Sequence, residues 1–242
     1  CGWCFRSCPA HCHVMRDGKH VFERENCVRC GICTWECYAQ ALELVGKPMT
    51  VDEVIAEVLK DRPFYEHSQG GMTISGGEPM AQYEFTRALL ERAKQEGLHN
   101  CLDTSGFARW PQYEALLPSV DLFLYDLKAT DPARHMELTG VPLEPILKNL
   151  ELLDAAGAET ILRCPLVPGL NDDDDHLRAI AAQAEKLTHV REITVHPYHP
   201  LGESKMVRMG YSPKWRGGVF APEETIQHWL EVIQQGTKVP VR

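Results

Sequence analysis

The chain has 242 residues, a formal net charge of −9 and a pI near 5.7. An acidic balance of this size argues against nucleic acid or an anionic membrane surface as the main partner. No apolar run approaches the roughly 20 residues that a membrane-spanning helix needs. Ten cysteines without a visible export signal favour a reducing cytoplasm.

Seven of the ten cysteines lie in two runs near the start of the chain. The second run has the spacing C-x2-C-x2-C-x3-C, and the first has the last three cysteines of that pattern followed by Pro9. This spacing is typical of bacterial ferredoxins that hold two [4Fe–4S] clusters. A zinc site or a disulfide framework is the alternative, but zinc runs more often come as paired C-x2-C units and disulfides belong to small secreted domains. The predicted cluster ligands are Cys1, Cys4, Cys8, Cys27, Cys30, Cys33 and Cys37.

The spacing also predicts how these ligands are shared. In the two-cluster arrangement the fourth cysteine of each run binds the cluster of the other run. The chain begins inside the first motif and not with Met, so we expect a further cysteine upstream of residue 1. The expected sets are Cys8 with Cys27, Cys30 and Cys33, and Cys37 with Cys1, Cys4 and the upstream cysteine. Two interpretations of Cys12 remain, a replacement ligand and a loop cysteine beside a cluster.

The sequence predicts two domains. Residues 1–46 are expected to form a ferredoxin-like iron–sulfur domain held by its clusters, and residues 47–242 an α/β domain. Thr50 and Glu53 form a capping box at the start of the first predicted helix. The predicted helices cover 51–60, 81–96, 110–117, 144–156, 174–187 and 222–235. The predicted strands cover 72–75, 100–103, 122–126, 160–164 and 192–196, an alternation typical of a parallel sheet.

Each predicted strand ends near polar residues or glycines. The segments are Ser75-Gly-Gly-Glu78, Asp103-Thr-Ser-Gly106, Asp126-Leu-Lys128, Arg163, and His196 followed by His199. In α/β barrels active sites form at the carboxyl ends of the strands, so this recurrence predicts a functional site. Ordinary loop polarity and helix capping remain the interpretation for Ser105, and His196 is expected to be a packing residue. Cys101 and Cys164, within strands, are expected to be buried small side chains.

These segments resemble the radical S-adenosylmethionine (SAM) family and, within it, the activating enzymes of glycyl radical enzymes. The matching segments are Thr73–Pro79, Leu102–Gly106, Tyr125–Lys128, Leu166–Gly169 with Asn171 to Asp175, and Pro197–Lys205. The resemblance implies an α/β fold, namely a partial (β/α)6 TIM-type barrel that lacks its first strand in this chain. It also implies that the cysteine runs form a small ferredoxin-like insert with two [4Fe–4S] clusters. That insert is similar to the one in the subgroup that serves dehydratases, decarboxylases and C–N or C–S lyases.

The resemblance is incomplete at the C-x3-C-x2-C loop that holds the family's catalytic cluster. This loop follows the first barrel strand in the family, and it is not complete here. We expect it upstream of residue 1, so no catalytic residue is assigned within this chain. The alternative is that Cys1-Gly-Trp-Cys4 is the last half of the loop.

The implied reaction is reductive cleavage of SAM to methionine and a 5′-deoxyadenosyl radical, which removes a hydrogen from a glycine of a partner enzyme. The implied cofactors are SAM, two auxiliary [4Fe–4S] clusters and one catalytic cluster in the full-length protein. The implied partners are a glycyl radical enzyme of the dehydratase, decarboxylase or lyase type and an electron donor such as flavodoxin or ferredoxin. The expected setting is an anaerobic cytoplasm.

The resemblance assigns SAM binding to Gly76, Gly77, Glu78, Asp103, Lys128, Arg163 and His199. Glycines let the backbone approach a ligand closely, and Glu78 can accept hydrogen bonds from the methionine ammonium. Asp103 and Asp126 would end adjacent strands and repel each other unless a cation or Lys128 lay between them. A cation site formed by Asp103, Thr104 and Asp126 is therefore also expected.

Two other functions remain open at this stage. The chain could be an electron-transfer protein in which the ferredoxin-like part works and the barrel docks a partner. It could also be a radical SAM enzyme that acts on a small molecule or a peptide. The charged residues at the strand ends favour the activating enzyme.

Overall fold

A computed structural model describes residues 1–211 and 220–242, without the side chain of Glu203. The chain divides into two compact units. The first unit holds Cys1–Met49 together with the described part of a segment that begins at Ser204. The second holds Thr50–Glu203 and residues 220–242. Within the described residues, no helix has both the length and the apolar character needed to cross a bilayer.

The first unit is built from short elements around the cysteines. They are α1 (Trp3–Ser7), β1 (His13–Arg16), β2 (Lys19–Phe22) and α2 (Ile32–Trp35). The two strands form an antiparallel hairpin that turns at Asp17 and Gly18, whose φ angles are 50° and 73°. Asp-Gly is favoured in two-residue hairpin turns because both positions need positive φ. This dipeptide was the signal for a hairpin that the sequence analysis did not predict.

The second unit alternates strands and helices along the chain. Its elements are α3 (Val51–Val58), α4 (Arg62–Ser68), β3 (Gly71–Ile74), α5 (Tyr83–Gln95), β4 (His99–Thr104), α6 (Trp110–Leu116), β5 (Leu122–Asp126), α7 (Pro132–Thr139), α8 (Glu144–Ala155), β6 (Thr160–Leu166), α9 (Asp174–Glu185), β7 (Val190–Pro197), α10 (Glu203–Arg208), which runs into the first unit, and α11 (Glu223–Gln235). Every predicted strand and helix forms, with ends shifted by a few residues, while α4, α7 and α10 were not predicted. The capping box is present, since the Glu53 amide donates to Thr50 Oγ1 at 3.3 Å and the Thr50 amide to Glu53 Oε2 at 2.7 Å.

The sheet is parallel, and its five strands follow chain order from β3 to β7. This order is that of a barrel-type winding, because a doubly wound sheet reverses its strand order at a switch point. The predicted α/β class with a parallel sheet is therefore confirmed. The outer side of β7 pairs with the end of the chain, where the Ile193 amide donates to the Pro240 carbonyl at 2.9 Å and the Val195 amide to the Arg242 carbonyl at 2.7 Å.

The two faces of the sheet differ in burial. Strand residues alternate between faces, and one face packs against the helices. Its buried residues include Leu102, Phe123, Tyr125, Leu162, Cys164 and Ile193, which meet Trp229 and Ile233 of α11 in one core cluster. Cys164 is a buried core residue as predicted, and burial raises its pKa strongly. Cys101 lies on the less covered face and is only partly buried, contrary to the expectation of full burial.

Gly71 is required by the close approach of β3 and β4. A Cβ at this position would lie 2.0 Å from the carbonyl oxygen of His99. Gly71→Ala should therefore lower the free energy of unfolding by at least about 2 kcal/mol, because the strand must shift to relieve the overlap. Urea denaturation measures this change. Gly202→Ala is the control, since a Cβ there meets no atom within 4 Å; equal losses in both variants would contradict the strand pairing.

Candidate functional site

A cavity of about 300 Å³ lies at the carboxyl ends of the strands in the second unit. It is lined by Ser75, Gly76, Gly77, Glu78, Asp103, Thr104, Ser105, Asp126, Lys128 and Arg163. Six of the seven residues predicted to bind SAM, and all three predicted to bind a cation, meet at this one cavity. His199 is exposed, two residues beyond the end of β7, and is not among the lining residues.

Strand register explains why these side chains meet. Asp126 lies directly opposite Arg163 in the pairing of β5 with β6. Asp103 lies opposite Leu124, two residues before Asp126 in β5. Because side chains two residues apart share a face of the sheet, Asp103, Asp126 and Arg163 all lie on the less buried face.

Two ion pairs neutralise the neighbouring carboxylates. Arg163 Nη1 lies 2.6 Å from Asp103 Oδ2, which also accepts a hydrogen bond from Ser75 Oγ at 2.7 Å. Lys128 Nζ lies 2.9 Å from Asp126 Oδ2. Each carboxylate therefore has its own side-chain cation, and the repulsion expected between Asp103 and Asp126 is relieved within the chain.

Glu78 is held by neutral donors alone. Its Oε1 accepts from Thr104 Oγ1 at 2.8 Å and from the Met80 amide at 3.1 Å. Its Oε2 accepts from the Ser105 amide at 2.8 Å and from Ser105 Oγ at 2.6 Å. In the part of the chain that the structure describes, no lysine, arginine or histidine lies within ion-pair distance of it. Ser105 is thus more than an ordinary loop residue, and the sequence analysis missed its role.

The charges around the cavity do not cancel. Three carboxylates, Glu78, Asp103 and Asp126, face two cations, Lys128 and Arg163, which leaves one negative charge. A site with this excess favours a ligand of net positive charge, since an unpaired charge in a partly buried site gains most from an opposite one.

Gly76 and Gly77 leave open backbone beside these charges. Gly76 has a φ of +127°, which side-chain-bearing residues rarely adopt. A Cβ on either glycine would meet no atom within 4 Å. The two glycines therefore leave room for a ligand to contact the main chain directly.

The cysteine runs of the first unit repeat one local structure. Cys1-Gly2-Trp3-Cys4 and Cys30-Gly31-Ile32-Cys33 each place the glycine at positive φ, 77° and 76°, immediately before a short helix. In both runs a further cysteine follows four residues later. All ten cysteines lie in the described residues and are free, which argues against the disulfide alternative.

The thiols of the predicted first set are neighbours. The pKa of Cys33 is raised, first by burial and then by the charges of Cys8, Cys27 and Cys30. Cys12 is buried beside them, and its amide donates to Cys8 Sγ at 3.3 Å. Burial, followed by its hydrogen bond with Cys8, raises the pKa of Cys12 to about 11.

A second donor group was not predicted from the sequence. One ligand atom each from Cys4, His13 and His20 lies within 4.8 Å of the others. His13 is buried, and its Nδ1 lies 2.8 Å from Nε2 of His20. The β1–β2 hairpin brings the histidines together by pairing Met15 with His20 and His13 with Phe22. Sulfur and imidazole donors of this kind also bind zinc. Cys4 therefore belongs to two groups of metal ligands, the predicted cluster set and this one.

The profile of the Radical SAM superfamily matches residues 2–180. The chain belongs to this superfamily.

Its relatives include the isethionate sulfite-lyase activating enzyme of Nitratidesulfovibrio vulgaris, 40% identical over 209 residues that cover 85% of this chain and 67% of that protein. The benzylsuccinate synthase activating enzyme of Thauera aromatica is 38% identical, covering 87% and 66%. The pyruvate formate-lyase 1-activating enzyme of Escherichia coli is 35% identical, covering 88% and 87%. Within the superfamily the chain therefore groups with the activating enzymes of glycyl radical enzymes. It spans about two thirds of the length of the first two relatives.

Solved structures agree with the fold. A domain of a pyruvate-formate lyase-activating enzyme from Bacteroides vulgatus superposes with a TM-score of 0.60 at 28% identity, covering 72% of this chain and 98% of that one. A radical SAM methyltransferase from Sphaerobacter thermophilus superposes with a TM-score of 0.62 at 17% identity, covering 82% and 58%. The second likeness concerns the fold alone.

The hydroxyl of Thr104 links Glu78 to the core through Tyr113. The two hydroxyl oxygens lie 2.8 Å apart, and both side chains are buried. Thr104→Val should lower the free energy of unfolding by about 1–3 kcal/mol, because it leaves the Tyr113 hydroxyl without its partner. Adding Tyr113→Phe should recover part of the loss, as measured by urea denaturation. Thr188→Val, at an exposed position, is the control; a purely additive double variant would contradict the link.

Proposed function

We propose that the second unit provides the SAM site of a glycyl radical enzyme activating enzyme, and that the first unit holds auxiliary [4Fe–4S] clusters. The observation that most supports this proposal is that Glu78, Arg163 and two open glycines line one cavity. Glu78 has no cation partner among the described residues. SAM carries a sulfonium, an ammonium and one carboxylate. Its net charge of one positive complements the one negative charge of the cavity.

The residues assigned to SAM binding have distinct proposed roles. Glu78 accepts hydrogen bonds from the methionine ammonium, since its charge is held in place by Thr104 and Ser105 without being neutralised. Arg163 has Nη1 on Asp103 and Nε on His196, so Nη2 remains for the SAM carboxylate. Lys128 provides a second positive charge, and Gly76 and Gly77 admit the ligand to the backbone. His199 would reach SAM from beyond the end of β7.

The SAM site also bears on the expected cation. A cation held by Asp103, Thr104 and Asp126 would compete with Lys128 and Arg163 for the same carboxylates. It would bind only where these two ion pairs open. Bound together, the catalytic cluster and SAM would supply the 5′-deoxyadenosyl radical that removes a hydrogen from the partner's glycine.

The residues of the first unit suit two iron–sulfur clusters. Cubane clusters are bound by four cysteine thiolates, and the environment of Cys33 includes Cys8, Cys27 and Cys30. The repeated Cys-Gly-x-Cys geometry supports a second, related group that contains Cys1, Cys4 and Cys37. The first unit would then be the ferredoxin-like domain predicted for residues 1–46.

The five-stranded sheet of the second unit is proposed to be part of a (β/α)6 barrel. In the described residues β3 has no strand partner on its outer side, and a further strand would pair there. The relatives include activating enzymes of isethionate sulfite-lyase, (2S)-3-sulfopropanediol dehydratase and indoleacetate decarboxylase, which support a glycyl radical enzyme of the lyase, dehydratase or decarboxylase type as partner. Flavodoxin or ferredoxin is the proposed electron donor, in an anaerobic cytoplasm.

Calorimetric titration with SAM tests the site in the cluster-reconstituted protein. Glu78→Gln, Asp103→Asn and Lys128→Met should each weaken SAM binding by about tenfold or more, because Glu78 and Lys128 would meet the ligand's charges and Asp103 holds the Arg163 side chain in place. Glu66→Gln, at an exposed position of α4, should bind like the wild type. Unchanged affinity in all three site variants would contradict the assignment of the cavity.

Metal analysis tests the clusters and their wiring. Cys27→Ala and Cys8→Ala should each remove about four iron atoms and abolish the same electron paramagnetic resonance signal, whereas Cys37→Ala should abolish the other. Cys101→Ala, in β4, should lose neither. SAM binding should persist in all four variants.

Two results would count against the clusters. Loss of one signal in both Cys27→Ala and Cys37→Ala would contradict the crossed wiring. Zinc in place of iron, lost on Cys4→Ala and on His13→Ala alike, would show that Cys4 binds metal with His13 and His20 instead.

A further inference from the structure

His196, Arg163, Asp103 and Ser75 form one hydrogen-bonded chain across the strand ends. Arg163 Nε donates to His196 Nε2 at 3.1 Å. Arg163 Nη1 lies 2.6 Å from Asp103 Oδ2, to which Ser75 Oγ donates at 2.7 Å. The chain therefore connects β7, β6, β4 and the residue after β3. The sequence analysis treated His196 as packing, and this contact shows a polar role.

The ion pair of Arg163 is not the one that register alone would select. Asp126 is directly opposite Arg163 on the adjacent strand, yet Arg163 pairs with Asp103 on the strand beyond. Because Lys128 is paired with Asp126, that nearer carboxylate does not compete with Asp103 for Arg163. The orientation of the guanidinium then depends on the contact that Nε makes, on the opposite edge of the group.

His196 is placed to set that direction. It lies opposite Pro165 in the pairing of β6 with β7, two residues beyond Arg163. The diagonal neighbour on the same face of a sheet is within reach of a long side chain. An imidazole nitrogen that accepts from Nε fixes the plane of the guanidinium, which then directs Nη1 toward Asp103.

We propose that His196 is a positioning residue for SAM binding: its Nε2 orients Arg163 so that Nη2 faces the ligand's carboxylate. This inference rests on the proposed SAM site. As an acceptor at Nε2, the neutral ring carries its proton on Nδ1. Guanidinium is always protonated, so the ring must stay neutral for the contact to persist.

The surroundings of His196 favour the neutral ring. Burial, and then the charge of Arg163, lower the pKa of His196, while Asp126 and Asp103 act in the opposite direction. Arg163 and Asp103 are themselves partly buried, with side-chain exposures of 27% and 17%. A misdirected guanidinium in such a site would leave donors unpaired, so the acceptor matters for geometry as well as for energy.

Titration calorimetry on the cluster-reconstituted protein tests the proposal with two substitutions. His196→Leu removes the acceptor at similar volume and should weaken SAM binding by about tenfold. His196→Gln keeps an acceptor oxygen and should stay within about threefold of the wild type. His67→Leu, at an exposed position of α4, should bind like the wild type. Equal weakening by Leu and Gln, or by His67→Leu, would overturn the proposal.

A double-variant cycle with Arg163→Met separates positioning from general structural support. If His196 acts through Arg163, adding His196→Leu to Arg163→Met should change SAM affinity no further. If the losses of SAM affinity in the two single variants multiply in the double variant, the proposal is overturned.

If thermal melting shows that His196→Leu does not fold, His196→Met replaces it in the cycle. A wild type that does not bind SAM would overturn the proposed function, whereas a binding wild type with an unaffected His196→Leu would overturn this inference alone.

Discussion

Parallel pairing of five strands in chain order is the constraint on which the site depends. It brings every carboxyl end to one edge of the sheet, and the two-residue period places Asp103, Asp126 and Arg163 on one face. A register slip of one residue in β6 would turn Arg163 toward the helix-covered face and bring Leu162 or Cys164 out of the core. Burying an unpaired guanidinium there would be strongly unfavourable, so the sequence specifies register and site together.

The three carboxylates of the cavity are held in chemically different ways. Asp103 and Asp126 each face a cation of the chain, so part of their charge is already compensated. Glu78 is fixed by four donors that carry no net charge, so it is oriented but not neutralised. Such a carboxylate can meet a cationic ligand without first giving up a partner. The distinction separates one uncompensated acid from two acids whose charge the chain itself balances.

The strands and their terminal residues could be predicted because both leave local patterns in the sequence. Apolar runs marked β3 to β7, and polar motifs directly after them marked Glu78, Asp103 and Lys128. The contacts of Ser105 with Glu78 and of His196 with Arg163 could not be predicted, since they depend on how far a side chain reaches across neighbouring strands. The grouping of the segment from Ser204 with the first 49 residues is likewise non-local, carried by contacts such as that of Arg24 with the Arg208 carbonyl.

The first unit has a different source of order. Among its first 49 residues only Cys12, His13 and Gly31 are buried, and Trp35 and Tyr38 are 75% and 87% exposed. So little buried apolar surface cannot offset the conformational entropy of the chain. Burial, and then the charges of Cys8, Cys27 and Cys30, raise the pKa of Cys33, and the positive charge of a bound metal would oppose that rise. Under the proposal that this unit holds clusters, its folding would be linked to metal binding, whereas the sheet unit has a core of its own.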